Sequence, residues 1–223
     1  MFGWLKRSSL PNCVRTYREG TPRQLPRDTP WPAVKYIVLD AETTGFNPVS
    51  DRLLSLATVP IVDGRIAIAA RRSWLVRQLD MPNNEAVKIH GITPAASAEG
   101  RPEVDVLQEL LAELTGAVIV GHHIAFDVAM LTAALQRHFG IKLRNPTLDT
   151  ATMAMRRIDA FHRTGYVNQK PPTLEELCAH TGLAVTARHT ASGDAFTTAQ
   201  IFLWLCRRLQ VRLRREPSVA DLR

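Results

Sequence analysis

The dipeptide Asp63-Gly64 is the feature that most constrains how this 223-residue chain can fold. Such a pair favours the left-handed backbone of a two-residue hairpin turn. It lies between two runs, Arg52 to Val62 and Arg65 to Val76, whose apolar and β-branched residues read as strands. A third run, Tyr36-Ile-Val-Leu-Asp40, precedes them and ends in a carboxylate followed by Thr-Thr-Gly, the pattern of a buried strand entering a turn. Three consecutive antiparallel strands are expected.

Downstream the apolar period changes from strand to helix. Val104, Leu107, Leu110, Leu111 and Leu114 recur at helical spacing within Glu103 to Leu114, and Gly116 closes the segment. Ala117-Val-Ile-Val-Gly121 reads as a short buried strand, and Asp127 to Phe139 as a helix stopped by Gly140. Thr173, with Glu176 three residues on, forms a capping-box pattern for a helix through Ala179, with Gly182 past its end. A last helix, from about Gly193 to Arg214, carries Phe196, Ala199, Phe202, Leu203, Cys206 and Leu209 on one side. The order is βββ, then α, β, α and further helices.

A chain of this length buries one full core but is short for two domains. Residues 34–211 are expected to form that domain. Residues 1–33, basic and rich in Pro (Pro11, Pro22, Pro26, Pro30, Pro32), show no sustained apolar period and read as an extended or partly ordered arm; residues 212–223 read as a tail. No apolar stretch approaches the roughly 20 residues that span a bilayer. Lys6 and Arg7 are followed by neither an apolar segment nor a cleavage site. A cytoplasmic protein without membrane partners is expected. Cys13, Cys178 and Cys206 are widely spaced and in no CxxC pair, which argues against a disulfide framework or a zinc site. The formal charge of +7 favours a polyanionic partner. Much of that excess sits in Lys6 to Arg27 and Arg207 to Arg215, where solvated surface explains it as well.

The chemistry lies in carboxylates. Asp40 and Glu42 stand two apart at a strand end, so their side chains share one face. Asp127 follows a buried strand and opens a helix, in Gly121-His-His-Ile-Ala-Phe-Asp127, and Asp194 begins the last helix, five residues after His189. Each alone is an ordinary turn or helix-start residue. Together they suit phosphodiester cleavage, in which two divalent cations about 4 Å apart stabilise the attacking and leaving oxygens. Hard cations prefer oxygen ligands, and an imidazole titrating near neutrality can accept the proton of the attacking water.

Asp40-Ala-Glu42-Thr-Thr-Gly45, Ala125-Phe126-Asp127 and His189-x-Ala191-x-x-Asp194 resemble, in order and separation, the three exonuclease motifs of the DEDDh 3′-5′ exonucleases. That family includes the proofreading epsilon subunit of bacterial DNA polymerase III and ribonuclease T. The resemblance runs from about Val34 to Leu209 and implies an α/β, RNase H-like fold, a mixed five-stranded sheet with its first three strands antiparallel, flanked by helices. It implies that Asp40, Glu42, Asp127 and Asp194 hold two divalent metal ions, Mg²⁺ or Mn²⁺, and that His189 is the general base. It also implies removal of nucleoside 5′-monophosphates from a single-stranded or frayed 3′ end, DNA favoured. Ala41, Thr43, Thr44, Phe46, Glu85, His90 and Ile92 are the implied substrate contacts, with Glu85 at the terminal sugar. Two positions depart from the pattern: His123 stands where Asn is usual, and Ser55 where Glu is frequent. A DNA polymerase partner or a homodimer is compatible with the family. The alternatives are an accessory nucleic-acid-binding module with little cleavage, or an exoribonuclease.

Overall fold

A computed structural model describes residues 10–24, 27–79, 89–162 and 170–223. Strand β1 (Tyr36–Thr43) pairs antiparallel with β2 (Leu53–Val62), and Asp63 and Gly64, with φ of 50° and 66°, make the expected tight turn at its end. The run after the turn is not one strand. It divides into β3 (Arg65–Ile66), a 3₁₀ turn (Ile68–Ala70) and β4 (Arg72–Leu75), both strands pairing with the same edge of β2. Ala67, Ala69 and Ala70 offer little side chain for cross-strand packing, and the ladder lapses there. On its other side, β1 pairs in parallel with β5 (Val118–Gly121), and β5 with β6 (Thr147–Asp149). The mixed sheet has the order β3-β2-β1-β5-β6, with β4 beside β2, and helices cover both faces, as the resemblance implied.

Alternation along the strands builds two core layers. Tyr36 and Val38 of β1, Ala57, Val59 and Ile61 of β2, and Val118 and Val120 of β5 enter one buried cluster. Ile37, Leu39, Leu56 and Ile119 enter the other. The first layer is closed by α5 (Thr150–Arg157), α6 (Leu174–Thr181) and α7 (Ala191–Leu213). The second is closed by α1 (Asn12–Gly20), α3 (Glu103–Leu114) and α4 (Ala125–Phe139). A five-residue α2 (Pro94–Ala98) precedes α3, and Thr173 and Glu176 form the expected capping box on α6.

The described part of the N-terminal segment, residues 10–24 and 27–33, folds onto the domain instead of extending from it. Its α1 buries Val14 and Tyr17 against the second layer, and Trp31 is fully buried in the first, edge-on to Phe202. The Tyr17 hydroxyl donates to Asn145 Oδ1 at 2.6 Å and accepts from the Arg144 amide at 2.8 Å. Asn145 in turn donates to the Leu114 and Ala117 carbonyls. The C-terminal residues also join the core: Trp31 N–H donates to Pro217 O and Val219 N–H to Thr29 O, while Val219 and Leu222 are buried. Among the described residues no helix is long and apolar enough to cross a membrane, and Cys13, Cys178 and Cys206 are free thiols.

Candidate active site

Strands β1, β5 and β6 run parallel, so their carboxyl ends lie along one edge of the sheet, where open α/β sheets hold their ligands. Asp40 and Glu42 share the parity of Tyr36 and Val38 and therefore project toward the layer that contains α7. Asp194, in the first turn of α7, comes down to meet them. One carboxylate oxygen from each of the three lies within 4.8 Å of the others. Asp127 reaches the same edge from the opposite layer, as the third residue of α4, and is not part of that close trio. It is nonetheless near enough to raise the Asp40 pKa.

These acids are costly to keep together. Asp40 is held well above the ordinary carboxylate range, chiefly by burial and then by the charges of Asp127, Asp194 and Glu42. Burial, reinforced by Asp194, pushes Glu42 up to about 7. Burial raises Asp127 too, against the pull of backbone hydrogen bonds, one of them from Ala41. Asp194 is raised by burial, while Arg188 and the His189 amide pull it back. Its Oδ2 accepts from the Arg188 guanidinium and, at 3.3 Å, from the His189 amide. Its Oδ1 is buried without a hydrogen-bond partner. An all-oxygen cluster that raises its own pKa values and leaves one carboxylate oxygen unsatisfied fits a hard divalent cation.

His189 is exposed on the loop before α7 at a φ of 62°, and its neighbour Ala187 is also left-handed, at 41°. The loop is pinned by Arg188, whose guanidinium bridges Glu175 of α6 and Asp194. Thr190 caps α7 by accepting from the Gly193 amide at 3.1 Å. Asp149 performs a similar task on the other side: one oxygen accepts from the Ile124 amide and the other from the Thr152 amide, joining the starts of α4 and α5. His122 is pushed down to about 4 by burial and by His123, so its ring is neutral at pH 7, with Nδ1 2.9 Å from the Thr150 hydroxyl. His123 adopts φ 56°, a left-handed conformation in which Asn, Asp and His are all enriched. The usual Asn and this His therefore satisfy one backbone requirement.

A cleft of about 480 Å³ opens above the acids, lined by Asp40, Glu42, Asp127 and Asp194 with His189 at its side. Of the expected substrate contacts, Ala41, Thr43, Phe46 and His90 line it. Thr44 is not a lining residue: it is buried, its hydroxyl 3.2 Å from Asp51 and accepting from the Arg52 amide. Ile92 is not one either, its amide donating to His90 Nδ1; Ile89 takes the apolar place at the rim. Glu85 lies outside the described residues. Phe46 is 80% exposed and its ring centroid stands 5.7 Å from that of Phe126, so two aromatic rings form one wall. Phe126, Ile89 and Arg188 were not foreseen as lining residues. Phe126 had a signal, since a residue beside a buried Asp in the first helical turn must face elsewhere. Ser55 pairs directly with Glu42 across β1 and β2, so a Glu there would add another carboxylate to the same face.

A sequence model of the exonuclease family matches residues 37–202. The epsilon subunit of DNA polymerase III from Aquifex aeolicus is 30% identical over 169 residues, covering 75% of this chain and 78% of that one. A PolC-type DNA polymerase III from Thermotoga petrophila is 28% identical over 181 residues, a match that covers 81% of this chain but 12% of that protein. Among solved structures, E. coli exonuclease I in complex with a dT13 oligonucleotide has the same fold, with a TM-score of 0.66 and 22% identity over 81% of this chain and 42% of the other.

Proposed function

Because the chain belongs to the exonuclease family, we propose that it removes nucleoside 5′-monophosphates one at a time from the 3′ end of single-stranded DNA. The observation that carries this reading is the convergence of Asp40, Glu42 and Asp194 within 4.8 Å, with Asp127 beside them and His189 on the same cleft. Those four carboxylates are assigned as the holders of two divalent cations, Mg²⁺ or Mn²⁺. When bound, the cations supply charge neutralisation at the attacking and departing oxygens.

The remaining work falls to this chain's own side chains. Exposed on its loop, His189 can swing to the attacking water and accept its proton at a ring nitrogen. The Asp194 carboxylate orients that loop through the His189 amide. Phe46 and Phe126 offer π-faces to the terminal base, a contact that tolerates any sequence. A base pair must open before a 3′ terminus can descend between these rings and the acids, so single strands should react faster than duplex ends. The oligonucleotide bound by exonuclease I supports DNA as substrate, and the polymerase III relatives support a polymerase as the setting.

The test is cleavage of a 5′-labelled oligonucleotide with Mg²⁺ or Mn²⁺. A ladder shortening from the 3′ end is expected, absent with chelator, with kcat lower by about 10²–10⁴-fold in His189→Ala. Unchanged rates in both His189→Ala and Asp194→Ala would remove the mechanism, and faster cleavage of RNA than DNA would reassign the substrate.

A further inference from the structure

At the far end of α4 from the acids, Arg18 and Arg23 of the N-terminal segment meet Lys142 and Arg144 of the loop that leads to β6, around a concavity of about 600 Å³. Arg15 extends the same surface beyond Arg18 and Arg144, in a neighbouring concavity that Glu19 also lines. Some arginines elsewhere are matched by acids, as in Arg72–Glu113, Arg101–Glu109 and Arg215–Asp221, whereas Arg65 and Arg71 form no ion pair among the described residues. Here none of the four cations forms an ion pair among the described residues.

The patch is built rather than incidental. Arg144 donates from its guanidinium to the Arg18 carbonyl and from its amide to Tyr17, whose hydroxyl is tied through Asn145 to the end of α3 and the start of β5. Two segments 126 residues apart in sequence are thereby locked so that their positive charges stand side by side. Gathering unpaired like charges has an electrostatic cost that a purely structural contact does not require.

We propose that this patch grips the phosphodiester backbone of the substrate strand on the 5′ side of the end being cut. The inference rests on the exonuclease reading above. The 15 residues of α4 separate patch from cleft by about 22 Å at about 1.5 Å per residue. At about 3.4 Å per stacked nucleotide, that is roughly six to seven nucleotides. The exposed residues of α4, Ala125, Gln136, Arg137 and His138, include no acid, Asp127 at the cleft is the helix's sole one, and Glu103 of α3 is paired with Arg137 and His138. No acid of α4 itself repels a polyanion between the two sites.

The experiment compares wild type with the triple variant Arg18→Gln, Arg23→Gln, Lys142→Gln, whose altered side chains take no part in the Tyr17–Asn145 network. Binding of fluorescent four- and sixteen-nucleotide oligothymidylates is measured against salt in chelator, and cleavage of the four-nucleotide probe is measured with Mn²⁺. For the longer probe, the slope of log affinity against log salt should be shallower in the variant by about 2, from three lost phosphate contacts at about 0.7 each. The short probe, unable to reach the patch, should bind and be cut alike by both proteins. Equal slopes on the longer probe overturn the proposal, as does an equal loss on the short one. Failure of both proteins to cut the short probe counts instead against the exonuclease reading.

Discussion

Arg188 brings a guanidinium into the cleft of four acids and spends it on Asp194 and Glu175. A cation that binds Asp194 must compete with it. Arg188→Ala should therefore bind Mn²⁺ roughly ten-fold more tightly, the equivalent of a charge-assisted hydrogen bond of about 1.5 kcal/mol. Manganese resonance or calorimetry reads this directly, and unchanged or weaker affinity would show that no competition exists. The acids themselves set a pH dependence. Asp40, Glu42 and Asp127 have folded-state pKa values above their unfolded ones, Glu42 at about 7. The folded protein thus holds more protons than the unfolded chain between the ordinary carboxylate range and about pH 7, and stability falls as pH rises through that window. Glu109 and Glu175, both pulled down to about 2 by arginine partners, act in the opposite direction but at lower pH. In chelator, Tm should drop between pH 5 and 7.5, and Mn²⁺ should reverse the drop; a rising Tm across that range contradicts the assignment.

The elements place these residues by simple rules, and one contact is unusually tight. A Cβ on Gly193 would lie 2.2 Å from the Ala187 carbonyl oxygen and 2.3 Å from that of Thr186. The first turn of α7 thus presses directly on the loop that carries Arg188 and His189. Gly193→Ala should displace that loop and lower kcat on the order of 10²-fold, the cost of a misplacement near 1 Å, with the circular dichroism of the fold retained. Wild-type kcat would mean that the loop position does not matter. The strands were legible because period-2 alternation and a Asp-Gly turn are local signals: Asp40 and Glu42 share a face for the same reason that Tyr36 and Val38 do. Helix α1 was hidden because it buries only Val14 and Tyr17, between prolines, too few positions to establish a period. The break between β3 and β4 was hidden by isolated apolar residues, of which Ile68 turns out 55% exposed. Arg188 was illegible for a different reason, since its partner Glu175 lies thirteen positions away on α6 and meets it only because the intervening loop turns through left-handed residues.

At the scale of the molecule, the two ends of the described chain stabilise each other. Pro30 bridges Ser218, Ala220 N–H donates to Arg27 O, and the Arg157 guanidinium donates to Asp221 O. Removing residues 215–223 takes away buried Val219 and Leu222, each side chain contributing about 1.5–3 kcal/mol. A loss of about 3–6 kcal/mol from a domain whose total is about 5–15 kcal/mol should shift the urea midpoint markedly; an unmoved midpoint would show that the pairing adds nothing. The same pairing sets a schedule. Trp31 emerges well before the residues that cover it, Phe202 and Pro217 to Val219. At about 5–20 residues per second, that interval is on the order of ten to forty seconds. Asp194 and His189 likewise emerge long after Asp40 and Glu42, so the acid cluster cannot assemble before the start of α7 has been made.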